Sequence, residues 1–324
     1  MTIRIYDWRD LILLNRIRNR GMCLDSKLTF TRGTSALRHT PLGTLLPGRN
    51  VSTLVFRADN SGELSAAGQF LIRNNQLLAR LVFISPREIL TRTEGVKLLE
   101  AMTHLAGERG ATALIAEIDE RDPAFDGLHA AGFAIYSRQR ILRRESAIEG
   151  KSASYEKMWR PAIDRDYIAI QSLYTNLVPA LVQQVEPSPS RDGRGLVYWS
   201  QGELLGFLDI EQGPHGIWVQ PYFHPAAEIG EGLLSGIVLG LSPRQRRPLY
   251  ICVRSYQGGL SQSLNQLGFE PCSSQAVMVK RLTAPIRHQV RLDIPALDGT
   301  QPEPSAPFTT FVHRTRSSKH THSL

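Results

Sequence analysis

Residues Val219–Leu234, VQPYFHPAAEIGEGLL, decide the fold. An apolar strand ends here in a loop of small residues, and a helix with paired leucines follows. The first N–H groups of such a helix have no partner within it, and the positive end of the helix dipole lies beside them. A pyrophosphate binds well at this place, and the small residues Ala226, Ala227, Gly230 and Gly232 let it approach the main chain. The segment therefore predicts a pyrophosphate cradle.

The pattern around this segment recurs earlier in the chain, which predicts an internal repeat. Three groups of identical or similar residues recur in the same order. At an offset of 135 they are Ile84/Val219, Pro86/Pro221, Gly95/Gly230, Leu98/Leu233 and Leu99/Leu234; at 136, Gly132/Gly268, Phe133/Phe269 and Gln139/Gln275; at 156, Arg4/Arg160, Arg9/Arg165 and Asp10/Asp166. We interpret the chain as two copies of one fold whose early loops differ in length.

Apolar periodicity and turn residues give both copies the element order β-α-β-β-β-α-β-α-β. This order predicts an α/β fold, a mixed sheet with helices packed on it. Asp10 is expected to cap the first helix of copy one. Asp166 is expected to begin a helix whose apolar face extends to Leu181. Gly132 and Gly268 are expected to end short helices in the left-handed conformation.

Composition then sets the domain limits. Residues 1–145 and 157–283 form the two copies, and 146–156 is polar enough to be a linker. From 284 to 324 Pro, Thr, Ser, His and Arg dominate, so we expect a disordered tail.

Charge and cysteine usage exclude several classes of protein. The formal net charge of +8 comes without the interleaved aromatic residues typical of a nucleic-acid surface. The three cysteines lack the spacing of a zinc site or a disulfide framework, so we predict no metal and a cytoplasmic location. No run of about eighteen apolar residues occurs, so no membrane span is expected.

The V-x-P strand, the small-residue loop and the paired leucines, together with Ala131–Phe133 (AGF) and Leu267–Phe269 (LGF), resemble the GNAT superfamily of acyl-CoA N-acyltransferases. The resemblance covers 1–145 and 155–283. It implies two tandem GNAT folds, each with a sheet splayed between its fourth and fifth strands. It also implies a pantetheine chain in the splay, a main-chain N–H near Val219 that polarises the acyl carbonyl, and an amine acceptor, either a small molecule or a peptide. Acetyl-CoA is the donor that we expect first.

The resemblance places the cofactor in the second copy. The expected contacts are Val219, Pro221, His224, Ala226, Ala227, Ile229, Gly230 and Gly232. The first copy has bulky residues in the matching loop, REILTRTEG after Pro86, and we expect this loop to be degenerate. Two departures weaken the match. His224 and Pro225 stand where the family has Arg or Gln and glycines. Leu128 and Leu264 stand where many members have a tyrosine that can protonate the departing thiolate.

Candidate proton-transfer groups follow from position. Asp209 and Glu211 share one face of a strand and are candidates for a base; the alternative is a solvated strand face. Glu117 is a similar candidate in a buried strand. Tyr256 and Tyr222 are expected at the cleft mouth, where each is a candidate to replace the missing tyrosine. Two functions remain open at this point: an N-acyltransferase, or an inactive tandem module that binds an acyl-CoA or a partner protein.

Overall fold

The computed structural model describes residues 2–39, 49–57, 64–73, 77–145, 158–189, 195–227, 230–241 and 247–282. The predicted linker (146–156) and tail (284–324) lie outside the described residues. Met1–Pro285 form one compact unit. No described helix has the length and apolar character needed to cross a membrane.

The strands run in chain order as β1 (Thr2–Ile5), β2 (Met22–Cys23), β3 (Arg49–Arg57), β4 (Ala66–Arg73), β5 (Leu78–Ser85), β6 (Ala113–Ile118), β7 (Ala134–Arg144), β8 (Trp159–Pro161), β9 (Gly195–Ser200), β10 (Glu203–Gln212), β11 (Ile217–Phe223), β12 (Leu249–Arg254) and β13 (Glu270–Arg281). The helices are α1 (Leu11–Ile17), α2 (Ser26–His39), α3 (Thr93–Glu108), α4 (Ala124–Ala130), α5 (Tyr167–Leu177), α6 (Ala180–Gln183), α7 (Glu231–Leu241) and α8 (Leu260–Gln266).

All thirteen strands belong to one mixed sheet, in the order β1-β3-β4-β5-β6-β13-β7-β12-β11-β10-β9-β8, with β2 against β5. The mixed α/β fold in two copies is therefore confirmed. The centre of the sheet holds an exchange between the copies. The last strand of copy two, β13, pairs with β6 of copy one, and the last strand of copy one, β7, pairs with β12 of copy two. Each copy thus completes the sheet of the other.

Both copies contain the splay that the resemblance implied. In copy one, β5 and β6 pair in parallel only from Leu78 with Ala113 to Arg80 with Ile115. In copy two, β11 and β12 pair only from Ile217 with Leu249 to Val219 with Ile251. Beyond these three residue pairs the strands diverge, and the gap between them is the place where the fold can admit a ligand.

The repeated ion pairs confirm the match at the start of each copy. Arg4 Nη2 donates to Asp10 Oδ1 at 2.8 Å, and the Asp7 N–H donates to Asp10 Oδ2 at 3.0 Å. In copy two Arg160 binds both oxygens of Asp166 at 2.7 Å. Asp10 differs from its predicted role, because its carboxylate makes no capping bond to α1 and closes the preceding 3₁₀ turn instead.

The left-handed helix ends were predicted correctly. Gly132 and Gly268 have φ of 84° and 77°. The N–H groups of Phe133 and Phe269 then donate to the carbonyls of Leu128 and Leu264, both at 3.1 Å. A residue with a side chain is strained in this conformation.

Each sheet half has one face covered by its own helices and one covered partly by the other copy. Helices α3 and α4 pack on copy one, and α7 and α8 pack on copy two. On the opposite face Phe30 of α2 crosses to stack on Tyr250, with ring centroids 4.4 Å apart. Val185, which follows α6, crosses the other way and packs on Ile115 and Val277. The two copies therefore exchange helical segments as well as strands.

Two further local predictions were wrong, and two elements were missed. Leu181 is 64% exposed and does not continue the face of α5, because that helix ends before Pro179. Pro86 follows the end of β5, whereas Pro221 lies inside β11, so these two prolines are not structurally equivalent. Helix α2 and strand β2 were not expected at all.

Candidate functional site

The splay of copy one is filled by the chain itself. Strand β2 pairs with the diverging end of β5. The N–H of Leu24 donates to the Val82 carbonyl of β5 at 2.9 Å, and the Leu24 carbonyl accepts from the Glu117 N–H of β6, also at 2.9 Å. The main chain of Leu24 therefore bridges the two strands where a pantetheine chain would have to lie.

The loop after β5 is equally closed. Arg87–Thr91 forms a 3₁₀ turn with Ile89 and Leu90 buried. A Cβ on Gly95 would overlap the Ile89 carbonyl oxygen, and one on Gly127 would overlap that of Leu90. The Ile89 carbonyl oxygen thus faces the beginning of α3, where it repels an anion, and the Leu90 carbonyl oxygen faces α4. The Leu24 main chain and the Ile89 carbonyl thus occupy the part of copy one where an acyl-CoA would lie, and the degenerate loop stays a prediction.

Among the described residues, the side chain of Gln257 closes the splay of copy two. Gln257 Nε2 donates to the Pro221 carbonyl of β11, and its Oε1 accepts from the Arg254 N–H of β12 at 2.8 Å. A proline is tolerated within β11 because the neighbouring strand has already diverged at that point. The amide group of Gln257 therefore joins β11 and β12 at the point where their main chains no longer pair.

The loop after β11 uses its own N–H groups. Those of His224 and Ala227 donate to the Leu205 carbonyl (2.9 Å) and to the His224 carbonyl (2.8 Å). The Ala226 N–H donates to His224 Nδ1 at 3.2 Å, and Pro225 has no N–H to offer. In this arrangement residues 224–227 form no anion cradle, and His224 braces the loop.

The beginning of α7 is more open. A Cβ on Gly230 would meet no atom within 4 Å. Gly230 is exposed, and Gly232 lies in the first turn of the helix. The first N–H groups of a helix lack partners within it, so this turn is the part of the predicted cradle that fits a phosphate. Ile229 lies outside the described residues.

Asp209 and Glu211 lie on one face of β10, as predicted, but both are engaged in ion pairs. Lys27 Nζ lies 3.2 Å from Asp209 Oδ2 and 3.8 Å from Glu211 Oε2. Arg73 Nη2 lies 2.9 Å from Glu211 Oε2. Both cations come from copy one, so these carboxylates join the copies and differ from the solvated face that was the alternative.

The two candidate tyrosines are desolvated. Burial raises the pKa of Tyr222 well above its usual range, and the charge of Asp209 adds to the rise. Burial also raises the pKa of Tyr256, although Arg254 acts in the opposite direction. Both phenols are therefore weaker acids than a free tyrosine. Leu128 and Leu264, which replace the tyrosine of the family, are fully buried core residues.

Sequence reasoning missed a buried ionic group beside the second splay. Arg254 Nη2 lies 2.5 Å from Glu186 Oε1, and the Tyr136 hydroxyl donates to the same oxygen at 2.5 Å. Burial acts to raise the pKa of Glu186, but the charges of Arg254 and Arg80 outweigh it, so this pKa lies below its usual value. Only the odd occurrence of Arg254 at the end of an apolar strand could have signalled it.

A second buried group surrounds Glu117 in copy one. Its Oε1 lies 3.2 Å from Arg80 Nη1, and its Oε2 accepts from the Ser26 N–H at 2.8 Å. Nearby Asp25 accepts from the Leu28 N–H at 2.9 Å, and burial raises its pKa. Glu117 is thus part of the wall that holds residues 24–26 in the splay and does not face an open cleft. Among the described residues, no group of His, Cys, Asp and Glu side chains could hold a metal ion.

By sequence, no family model and no curated protein matches this chain. By structure, it is similar to a GCN5-related N-acetyltransferase from Sphaerobacter thermophilus, with a TM-score of 0.52, 12% identity and coverage of 86% of this chain and 95% of that one. A tandem GNAT protein from the clavulanic acid biosynthesis pathway aligns with a TM-score of 0.47 and 16% identity. The alignment covers 86% of this chain and 98% of that one. A GNAT-family acetyltransferase from Colwellia psychrerythraea aligns with a TM-score of 0.41 and 11% identity, over 87% of this chain and 100% of that one.

The first of these likenesses, at its low identity, establishes the fold. This chain has the fold of the GNAT acetyltransferases. The alignment extends over both copies, whose internal repeat is visible in the paired splays and the repeated Arg–Asp bonds.

Proposed function

We propose that this chain is an acyl-CoA-dependent N-acyltransferase whose cofactor site is the splay between β11 and β12. Acetyl-CoA is the simplest donor, and the acceptor is an amine. When bound, the cofactor supplies an activated thioester. In this proposal the N-terminal copy (1–145) frames the substrate site and binds no cofactor, and the C-terminal copy (157–283) holds it.

The observation that carries the proposal is the difference between the two splays. Copy one is bridged by the main chain of Leu24, which cannot leave without unfolding β2. Copy two is bridged by the side chain of Gln257, which can rotate away. The Gln257 amide presents to the Pro221 carbonyl the kind of N–H donor that a pantetheine amide would bring. Copy two can therefore exchange an internal hydrogen bond for an equivalent one to a ligand.

The residues that would hold the cofactor divide into two groups. Val219 and Pro221 line the beginning of the splay, and Gly230 and Gly232 offer the exposed first turn of α7 to a phosphate. The loop at 224–227 adds an N–H donor only if His224 releases Ala226. Ala226 is then the second place for a phosphate contact, whereas the Ala227 N–H stays bonded to the His224 carbonyl.

Chemistry at this site rests on positioning. An amine that arrives as the free base attacks without further activation, so correct placement supplies much of the rate. Asp209 and Glu211 are held by Lys27 and Arg73, and they serve the site better as a charged wall than as a base. Tyr256 stays protonated at neutral pH because burial raises its pKa, and it can donate a hydrogen bond to a departing thiolate.

A specific observation favours a second function, an inactive module that binds an acyl-CoA or a partner protein. The two predicted bases, Asp209 and Glu211, are held in ion pairs, and the buried Leu264 stands where the resemblance implies a tyrosine. Binding without turnover would be the result of such a site.

Thermal unfolding with and without acetyl-CoA tests the proposal. A ligand at a hundred times its dissociation constant adds about 2.7 kcal/mol of apparent stability. Gly230→Trp should abolish the shift, whereas Gly107→Trp, at the far end of α3 with only the Leu282 side chain near, should keep it. Gly95 cannot serve as the control, because any side chain there overlaps the main chain.

Release of free thiol in the presence of an amine panel then separates the two functions. Turnover supports the acyltransferase, whereas a thermal shift without turnover supports the binding module. If neither acetyl-CoA nor a longer acyl-CoA raises the melting temperature, the cofactor site is refuted for the acyltransferase and for the acyl-CoA-binding module alike.

A further inference from the structure

A polar cavity of about 90 Å³ lies where the two copies meet, and we name it the junction cavity. Its lining comes from both copies. The residues used below are Lys27, Arg73 and Arg80 from copy one, and Asp209, Gln220 and Tyr222 from copy two. A single water needs roughly 10–15 Å³ on the same kind of measure, so the space admits a small polar molecule.

The walls of the junction cavity are fixed by ion pairs between the copies. Lys27 binds Asp209, and Arg73 binds Glu211 beside it. Arg80 is held from behind by Glu117. These cations keep their positions whether or not a ligand is present, so the cavity is built before anything binds.

Two residues of this lining carry a polar atom that has no hydrogen-bond partner within the described part of the chain. Gln220 is only 7% exposed, and its Nε2 is buried without a hydrogen bond. The Nε of Arg73 is likewise buried and unpartnered. A buried polar group left without a partner destabilises the fold unless a bound molecule supplies one. Both atoms are donors, so the missing partner is an acceptor. The lining holds three cations, Lys27, Arg73 and Arg80, against the two carboxylates of Asp209 and Glu186, so the charge balance favours an acceptor with negative charge.

The junction cavity also has a defined relation to the second splay. Val219 and Phe223 of β11 pack in the core beneath α7, whereas Tyr222 packs on the opposite face of the sheet. Gln220 shares the face of Tyr222 because strand side chains alternate. A ligand in the cavity thus reaches β11 from the side opposite α7, while Pro221, between Gln220 and Tyr222, turns its carbonyl to the splay.

We propose that the junction cavity binds the carboxylate group of a small amino acid, with Gln220 Nε2 and Arg73 Nε as donors. That the amino group of this ligand is the acyl acceptor rests on the function proposed above. The size of the cavity limits the buried part to the amino and carboxylate groups, and a longer side chain has to point away from Gln220. The two donors come from different copies, so the site requires both copies of the tandem fold.

Isothermal titration of the full chain without any acyl-CoA tests the proposal. The probes are glycine and alanine, acetate as a carboxylate without an amine, and methylamine as an amine without a carboxylate. We expect saturable binding of the two amino acids, weaker binding of acetate and none of methylamine. Gln220→Leu should weaken amino-acid binding about tenfold, because a hydrogen bond to a charged group is lost. Gln262→Leu, on the exposed face of α8, should change nothing.

Gln220→Glu provides the second variant. It keeps the length of the side chain and adds a negative charge, so amino-acid and acetate binding should disappear while the melting temperature shows that the protein is folded. The proposal is overturned if no probe binds, if methylamine binds as well as glycine, or if Gln220→Leu binds like the wild type.

Failure of this proposal is distinguishable from failure of the proposed function. Amino-acid binding without an acetyl-CoA shift would refute the acyltransferase and leave the cavity assignment intact. An acetyl-CoA shift without amino-acid binding would do the reverse.

Discussion

Gln139 Nε2 donates to Gln275 Oε1 at 2.9 Å, and the two residues face each other in register between β7 and β13. They are also the matched residues of the internal repeat, so the chain pairs each copy with the other at equivalent positions. Each glutamine also accepts a hydrogen bond from another residue. Ser26 Oγ donates to Gln275 Oε1 at 2.8 Å, and Cys252 Sγ donates to Gln139 Oε1 at 3.3 Å. The exchange of strands is therefore centred on one amide pair.

Gln139→Leu should destabilise the protein by about 0.5–1.5 kcal/mol, because Gln275 Oε1 loses one of its two donors and the buried Cys252 thiol loses its acceptor. Urea unfolding measures the loss, and the exposed Gln262→Leu should stay within about 0.5 kcal/mol of the wild type. In the double variant Gln139→Leu/Gln275→Leu the total loss should be smaller than the sum of the single losses, since both partners are gone. Additive losses would show that the amide pair contributes nothing of its own.

Gly95→Ala and Gly230→Ala form a matched pair at equivalent positions of the sequence repeat. The methyl group at 95 overlaps the Ile89 carbonyl, so we expect a loss of about 3 kcal/mol from overpacking. The methyl group at 230 meets open space, and the change should stay within about 0.5 kcal/mol. Equal effects in a thermal or urea melt would contradict the closed loop of copy one.

Gln257→Ala should lower the stability of the free protein by about 1 kcal/mol, because the hydrogen bond to the Pro221 carbonyl is lost. The same change should strengthen acetyl-CoA binding severalfold, since the ligand no longer has to displace this side chain. Titration of acetyl-CoA into the variant and into Gln262→Ala checks both parts. Weaker binding in Gln257→Ala would mean that Gln257 contacts the cofactor itself.

Arg254→Met should cost about 3 kcal/mol at pH 7, because the buried Glu186 loses its salt bridge and keeps the hydrogen bond from Tyr136. In the wild type the pKa of Glu186 is lowered, so its stabilising contribution is present above the unfolded value of about 4.3 and is lost as the pH falls through the folded pKa. In the variant burial acts unopposed by Arg254 and raises that pKa. Glu186 is then protonated more readily, and the deficit should shrink between pH 7 and pH 4. Unfolding free energies at three pH values measure it, and a constant deficit would exclude a charge effect.

Local signals were sufficient for much of the fold. Gly132 and Gly268 identified the helix ends, and the repeated Arg4–Asp10 and Arg160–Asp166 spacing identified the start of each copy, because these interactions join residues close in the chain. The exchange of β7 and β13 could not be predicted, since side-chain alternation selects a face of the sheet and not a neighbour.

The candidate site shows the same limit. Alternation placed Asp209 and Glu211 correctly on one face, but their cations, Lys27 and Arg73, lie far away in the chain and left no local signal. Leu24 closes the first splay through main-chain atoms, which every residue type possesses, so its sequence carries no trace of that role. Predicting either would have required knowing how the copies meet.

The exchanged strands determine when the sheet can be completed during synthesis of the chain. While the chain leaves the ribosome, β6 has no native partner on its central side until Glu270–Arg281 has been synthesised, because that edge is completed by β13 alone. The first half therefore waits for nearly the last described residues before it can close. Premature termination anywhere in the second half should release a first half with an open sheet edge, a species prone to aggregate.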